Sequence, residues 1–222
     1  MILGMLYAVA RLLGGRFNHD SKTTLPDGAT DWDMDRVSGQ NGVLSFERYG
    51  GRRGFLRHLS ARAETLVGVH RPLQRLDWGK IDRFVFVCAG NICRSPYAAQ
   101  RARAAGADSV SFGLQASDGA AADPAAMRNA LQRGLDLDAH RSARLEISRL
   151  RPADLVLLFE PRQLQGFLRL EGARQAHVSL VGLWSAPARP HLTDPYGRSD
   201  RYFQECFALI DSSVRALLAH RS

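Results

Sequence analysis

Phe84-Val85-Phe86-Val87-Cys88-Ala89-Gly90-Asn91-Ile92-Cys93-Arg94-Ser95-Pro96 is the stretch whose reading decides the fold. Phe84 to Val87 are continuously apolar, as in a short strand buried on both faces. Ser95-Pro96 followed by an alanine-rich run has the composition of a capped helix start. The turn between them carries Gly90 and Asn91, the residue types that most readily take positive φ, so successive backbone N–H groups can face one concavity. A helix N-terminus at the same place adds its dipole and unsatisfied N–H groups, which favours a phosphate-sized dianion. Cys88 is at the floor of that concavity. The surrounding donors and the guanidinium of Arg94 favour its thiolate form, and the planar fork of Arg94 suits two oxygens of one ligand.

A Cys-x5-Arg pair alone recurs by chance, but the run Cys88-Ala89-Gly90-Asn91-Ile92-Cys93-Arg94-Ser95-Pro96 directly after an apolar strand is far more specific. It resembles the phosphate-binding loop of the low-molecular-weight protein tyrosine phosphatases, and the resemblance extends from about Arg83 to the C-terminus. It implies that Cys88 is the nucleophile, that Ala89, Gly90, Asn91, Ile92, Cys93 and Ser95 form the phosphate cradle, and that Arg94 binds the phosphoryl oxygens. Phosphotyrosine hydrolysis also needs a proton for a phenolate whose conjugate acid has a pKa near 10. Thr193-Asp194-Pro195-Tyr196-Gly197 reads by itself as a turn, and the resemblance assigns the general acid to Asp194.

The family often carries two adjacent aromatics after Asp-Pro, whereas here Tyr196 is followed by Gly197 and Arg198. Tyr196 then forms one wall of the substrate pocket, with Ser117 and Asp118 where the opposite wall is expected. This arrangement, with Ser111-Phe112-Gly113-Leu114 and an Asp123-Pro124 helix start, looks like bacterial members found with exopolysaccharide export kinases. The implied partner is a phosphotyrosine-containing protein, a bacterial tyrosine autokinase among them. The resemblance also suggests that His140 supports the loop near Asn91. Glu160, just past the third strand, reads as a helix N-terminal charge with no assigned chemistry. The implied mechanism needs no cofactor and no metal.

Composition agrees with a soluble globular protein. In 222 residues, 45% are hydrophobic, and no run approaches the roughly 18 apolar residues of a membrane span. The formal charge of +8 comes from scattered arginines, with Lys22 and Lys80 the only lysines, so it lacks the basic cluster of a nucleic-acid surface. Cys88, Cys93 and Cys206 are too few for a disulfide framework and indicate a reducing, cytoplasmic compartment. They also lack the further ligands a zinc site requires.

Strands are expected at Val110 to Leu114, Leu155 to Phe159 and Val178 to Trp184. Helices are expected at Ser95 to Ala105, Asp123 to Gly134, Pro161 to Leu170 and Asp200 to His220. This alternation predicts a four-stranded parallel sheet with helices on both faces, and places the Cys88 loop at a strand's carboxyl end. Residues 73–222 are expected to form the phosphatase-like domain and residues 1–72 an N-terminal extension. In that extension Met1 to Leu13 reads as a short helix, with membrane-surface anchoring as its alternative. Gly15 to Gly54 reads as disordered or loosely packed, and Phe55 to Val69 as an amphipathic helix with Phe55, Leu56, Leu59, Ala63, Leu66 and Val67 at helical spacing. Two rival functions share the loop. Arsenate reduction requires a thiol relay, for which Cys206 is the only distal cysteine. A silent phosphotyrosine-binding module is marked by loss of Cys88, Arg94 or Asp194, and all three are present.

Overall fold

The computed structural model describes residues 46–220; the Met1 to Leu13 helix and most of the loose stretch lie outside them. Four strands, β1 (Arg83–Cys88), β2 (Ser109–Gly113), β3 (Asp154–Leu158) and β4 (His177–Leu180), form one sheet in the order β2-β1-β3-β4 with every pair parallel. The expected sheet is therefore present, with boundaries moved by a residue or so. The exception is the fourth strand, which ends at Leu180 and tightens into a 3-10 turn over Val181–Leu183.

Strand β1 is buried along its whole length, as a central parallel strand must be. Its alternation sorts the core into two layers. Phe84, Phe86 and Cys88 face one cluster, and Val85 and Val87 face the other with Val156, Leu158, Phe167 and Leu180. The first layer is covered by α2 (Arg94–Ala104), α3 (Pro124–Leu131) and α5 (Asp200–Ala219), and the second by α4 (Pro161–Phe167). Helix α5 buries Phe203, Phe207, Ile210, Val214 and Leu217 at helical spacing, and the Phe207 ring stacks on Tyr97 of α2 with centroids 3.7 Å apart. Asp123 caps α3 by accepting from the N–H groups of Ala125 and Ala126 at 2.9 and 3.0 Å, with Pro124 as the first helical residue. At the amino ends of the strands Arg83 forks onto buried Asp154 (Nε–Oδ1 2.8 Å, Nη2–Oδ2 2.6 Å), holding β1 to β3 at the edge opposite the Cys88 loop.

Ahead of the sheet, residues 46–54 are ordered, contrary to the expectation of a loose stretch reaching Gly54. Phe46–Tyr49 form a 3-10 turn, and helix α1 runs over Gly51–Leu66, beginning earlier than the apolar pattern suggests. The buried face of α1 also differs from the expected one. Gly54, His58 and Ala61 are buried, whereas Leu56, Leu59 and Val67 are exposed. The reason is the partner: this helix meets a loop and a cluster of aromatic rings at close range, where small residues fit and leucine does not. Among the described residues no helix is long and apolar enough to cross a membrane.

Candidate active site

The loop after β1 closes on itself through Asn91. This residue is the sole non-glycine with positive φ (56°) among the described residues, and it is fully buried. Its backbone N–H donates to Cys88 Sγ at 3.2 Å, and its carbonyl accepts from His140 Nε2 at 2.7 Å. Its side-chain amide donates to Ser95 Oγ at 2.8 Å and Ser111 Oγ at 2.9 Å, and its Oδ1 accepts from the N–H of Ala143 at 2.9 Å. Glycine would supply the same backbone angle but none of these side-chain ties. The position of His140 is thus the one the resemblance suggested, and burial lowers its imidazole pKa, against the opposing effect of the Asn91 carbonyl.

Ser95 Oγ lies 3.1 Å from Cys88 Sγ and 3.2 Å from the carbonyl of Phe112. Because Asn91 already donates to this oxygen, the serine's single proton is shared between two acceptors, the Phe112 carbonyl and the sulfur. A glycine makes the geometry possible: a Cβ on Gly113, the last residue of β2, would sit 2.6 Å from the Ala89 carbonyl and 2.9 Å from the Asn91 nitrogen. The backbone instead passes close by, with the N–H groups of Leu114 and Gln115 donating to Cys88 and Ala89 at 2.9 Å. In the sequence Gly113 is one glycine at a strand end, with no local sign of this contact.

Arg94 is fully buried at the start of α2. Its Nη1 donates to Glu160 Oε1 and to the Leu192 carbonyl, each at 2.6 Å, and its Nη2 lies 2.7 Å from Asp194 Oδ2. Burial opposes the charge, but the carboxylates of Asp194 and Glu160 outweigh it and raise the guanidinium pKa above its usual value. Nε remains buried without a hydrogen-bond partner. Glu160 corrects the sequence reading. It is the N-cap residue of α4, yet its side chain makes no cap hydrogen bond and turns instead to Arg94. The partner is 66 residues away, so no local pattern announces it.

Cys88, Gly90, Ile92, Cys93, Asp194 and Tyr196 line a pocket of about 170 Å³. Asp194 Oδ1 accepts from the N–H of Tyr196 at 3.2 Å, so the turn itself orients the carboxylate while Tyr196 stands exposed at the mouth. Ser117 is not among the lining residues. It is exposed, with its carbonyl taken by Ser142 Oγ, and the Asp118 carboxylate accepts from the N–H of Arg144 at 2.6 Å. Ile92, expected as part of the phosphate cradle, also adds an apolar side chain to the pocket lining. Cys206 lies within the α5 core, and its thiol pKa is pushed up to about 12 by burial, which disfavours a thiol relay.

A parallel α/β sheet with Cys88 and Asp194 on one small pocket at a strand's carboxyl end, and Arg94 paired to that aspartate, has the architecture of a phosphatase class. Residues 83–221 match the family model for low molecular weight phosphotyrosine protein phosphatases, and the chain belongs to that family. It is 32% identical over 138 residues to the probable low molecular weight protein-tyrosine-phosphatase EpsP of Ralstonia solanacearum, covering 61% of this chain and 93% of that protein. With the phosphatase Wzb of Salmonella typhi it shares 30% over 136 residues, covering 60% and 90%. The crystal structure of the tyrosine phosphatase AmsI of Erwinia amylovora superposes with a TM-score of 0.58 at 27% identity, over 63% of this chain and 92% of that one.

Proposed function

We propose that Cys88 attacks the phosphorus of phosphotyrosine while Asp194 protonates the departing phenolate. The S–P bond forms as the bond from phosphorus to the phenolic oxygen breaks. Water, deprotonated by Asp194, then displaces the thiolate and releases inorganic phosphate. Backbone N–H groups of residues 89–95 and the fork of Arg94 hold the equatorial oxygens through both steps, and Ser95 donates to the leaving thiolate. Glu160 and the Leu192 carbonyl hold Arg94 in place from behind. The observation that carries this reading is one pocket lined by both Cys88 and Asp194, with the buried Arg94 paired to that aspartate and its Nε left without a hydrogen-bond partner.

The substrate we assign is a cytoplasmic phosphotyrosine protein, in particular a bacterial tyrosine autokinase of exopolysaccharide export. Similarity to the tyrosine phosphatases EpsP, Wzb and AmsI supports the phosphotyrosine substrate, and the likeness of the Ser111-Phe112-Gly113-Leu114 segment to bacterial members found with such kinases supports the autokinase. Phosphate release measured side by side from phosphotyrosine and phosphoserine peptides, with arsenate reduction under thiol, tests the chemistry. Release from phosphotyrosine alone is expected, and arsenate turnover at a comparable rate would overturn it. The partner is tested by adding the full chain to the phosphorylated autokinase and following loss of its phosphotyrosine.

A further inference from the structure

The loop that carries Asp194 joins β4 to α5 and has little regular structure of its own, yet a general acid must be held within hydrogen-bond reach of its proton acceptor. The segment packed against that loop is Phe46–Leu66, which lies outside the 83–221 family match. Thr193, immediately before Asp194, is enclosed on several sides. A Cβ on Gly50 would meet its Cγ2 at 2.9 Å, one on Gly54 would meet its Oγ1 at 2.9 Å, and its carbonyl accepts from Tyr202 Oη at 3.1 Å. Gly50 has φ of 73°, so both the backbone angle and the contact call for glycine there.

Arg189, buried on the same loop, fastens the other side. Its Nη1 donates to the Arg48 carbonyl at 2.9 Å, its Nη2 pairs with Glu205 of α5 at 2.9 Å, and its guanidinium carbon is 4.7 Å from the centre of the Tyr49 ring. Tyr49 in turn packs edge-on against Phe55, with centroids 5.1 Å apart, and against the buried His58 at 4.8 Å. Beyond Asp194, Ser199 Oγ donates to Glu47 at 2.6 Å. The loop is thus tied to this segment both before and after the acid.

We infer that Phe46–Leu66 is a brace that positions Asp194 for proton transfer, with Tyr49 and Arg189 as its positioning residues. The inference rests on the reading of Asp194 as general acid. Loss of the brace leaves the Cys88 loop intact and Arg94 still held by Glu160, while the segment around Asp194 loses its outer support, so the deficit falls chiefly on substrates whose leaving group needs a proton.

The test uses full-length Tyr49→Ala, Tyr49→Phe and Asp194→Asn, each assayed for kcat/KM on phenyl phosphate and 2,4-dinitrophenyl phosphate, with inhibition by inorganic phosphate as a check on the loop. Tyr49→Ala is expected to lose roughly tenfold on phenyl phosphate and less than about twofold on the dinitrophenyl ester, a fraction of what full loss of a general acid costs. Its phosphate inhibition constant is expected to stay unchanged, and Tyr49→Phe, which keeps the ring under Arg189, to restore the rate. Equal losses on both esters, or none, in Tyr49→Ala while Asp194→Asn discriminates between them would overturn the brace alone. Equal losses in Asp194→Asn would instead remove the general-acid reading beneath it. If Tyr49→Ala melts below the assay temperature, Arg189→Lys, which keeps a charge beside Glu205 but not the planar stack, is measured in the same way and decides by the same criterion.

Discussion

Arg94 shows why one buried side chain can require several distant partners. A guanidinium with no solvent exposure is tolerable only when paired, and here Glu160, Asp194 and the Leu192 carbonyl share that task. Asp194 serves catalysis as well in the mechanism proposed, so of the two carboxylates Glu160 is the one whose role is purely to hold the fork. Glu160→Gln, which keeps an acceptor but not the charge, is expected to lower kcat/KM for phosphotyrosine about tenfold, and Glu160→Ala by more, as positioning losses usually do. Kinetics unchanged in both variants would show that Leu192 alone suffices. Cys88→Ser is expected to stop turnover while retaining phosphate binding, because the loop and Arg94 remain while the nucleophile becomes a poorly ionised hydroxyl. Calorimetric titration with inorganic phosphate checks the binding, and measurable steady turnover would remove Cys88 from the mechanism.

Among the elements, β1, the loop and α2 are locally encoded, but their position against β2 depends on a single missing side chain. Gly113→Ala places a methyl group 2.6 Å from the Ala89 carbonyl and 2.8 Å from the Ala116 Cβ, all of it against backbone or packed atoms that cannot swing away. Overpacking of this kind costs about 1–3 kcal/mol, and the strain falls on the phosphate loop itself. The expected outcome is a lower melting temperature together with clearly weaker inhibition by phosphate. A variant that melts early but binds phosphate normally would mean that the loop tolerates the shift and only packing is lost. Asn91 belongs to the same level. One residue supplies the loop's left-handed angle and links the Cys88 sulfur to β2, to His140 and to Ala143.

Across the whole molecule, two buried histidines make stability depend on pH. His58 beneath Tyr49 is lowered to about 4 by burial and by the nearby charges of Arg189 and Arg62. His191 behind Arg94 is lowered to about 4 by burial, with Glu160 opposing and Arg57, Arg94 and Arg162 reinforcing the shift. Each folded-state pKa lies below the unfolded value of about 6.5, so the unfolded chain binds more protons in that interval. Their contribution is fully present above about pH 6.5 and is lost progressively as the pH falls towards about 4. Urea midpoints measured from pH 7.5 to 4.5 are expected to fall in this window, with a smaller fall in His58→Phe. A flat profile would contradict the buried, neutral state of both rings. Because His58 sits in the brace, the acid-induced loss is expected to reach the segment 46–66 first, visible as earlier amide exchange there than in β1.

The strand-loop-helix module was legible from the sequence because it is local. A continuous apolar run, turn residues with positive-φ tolerance, a helix start and a Cys-to-Arg spacing that wraps one anion all occur between Phe84 and Pro96. Alternation of strands and helices implied a four-stranded parallel sheet, which is present to within small shifts of boundary, while the strand order β2-β1-β3-β4 is legible only in the fold. Glu160, Ile92 and Gly113 took their roles only in the folded chain. Each acts on a partner through a long-range approach or a shared pocket, and a charge at a helix start, an isoleucine in a turn and a glycine at a strand end read the same with or without that partner. The same holds for α1. Its leucines outline an apolar stripe in the sequence, but the surface it meets is the Thr193 side chain and the Tyr49 carbonyl, where close approach favours Gly54 and the N-cap Gly50, so the tertiary contact and not the stripe decided which face is buried.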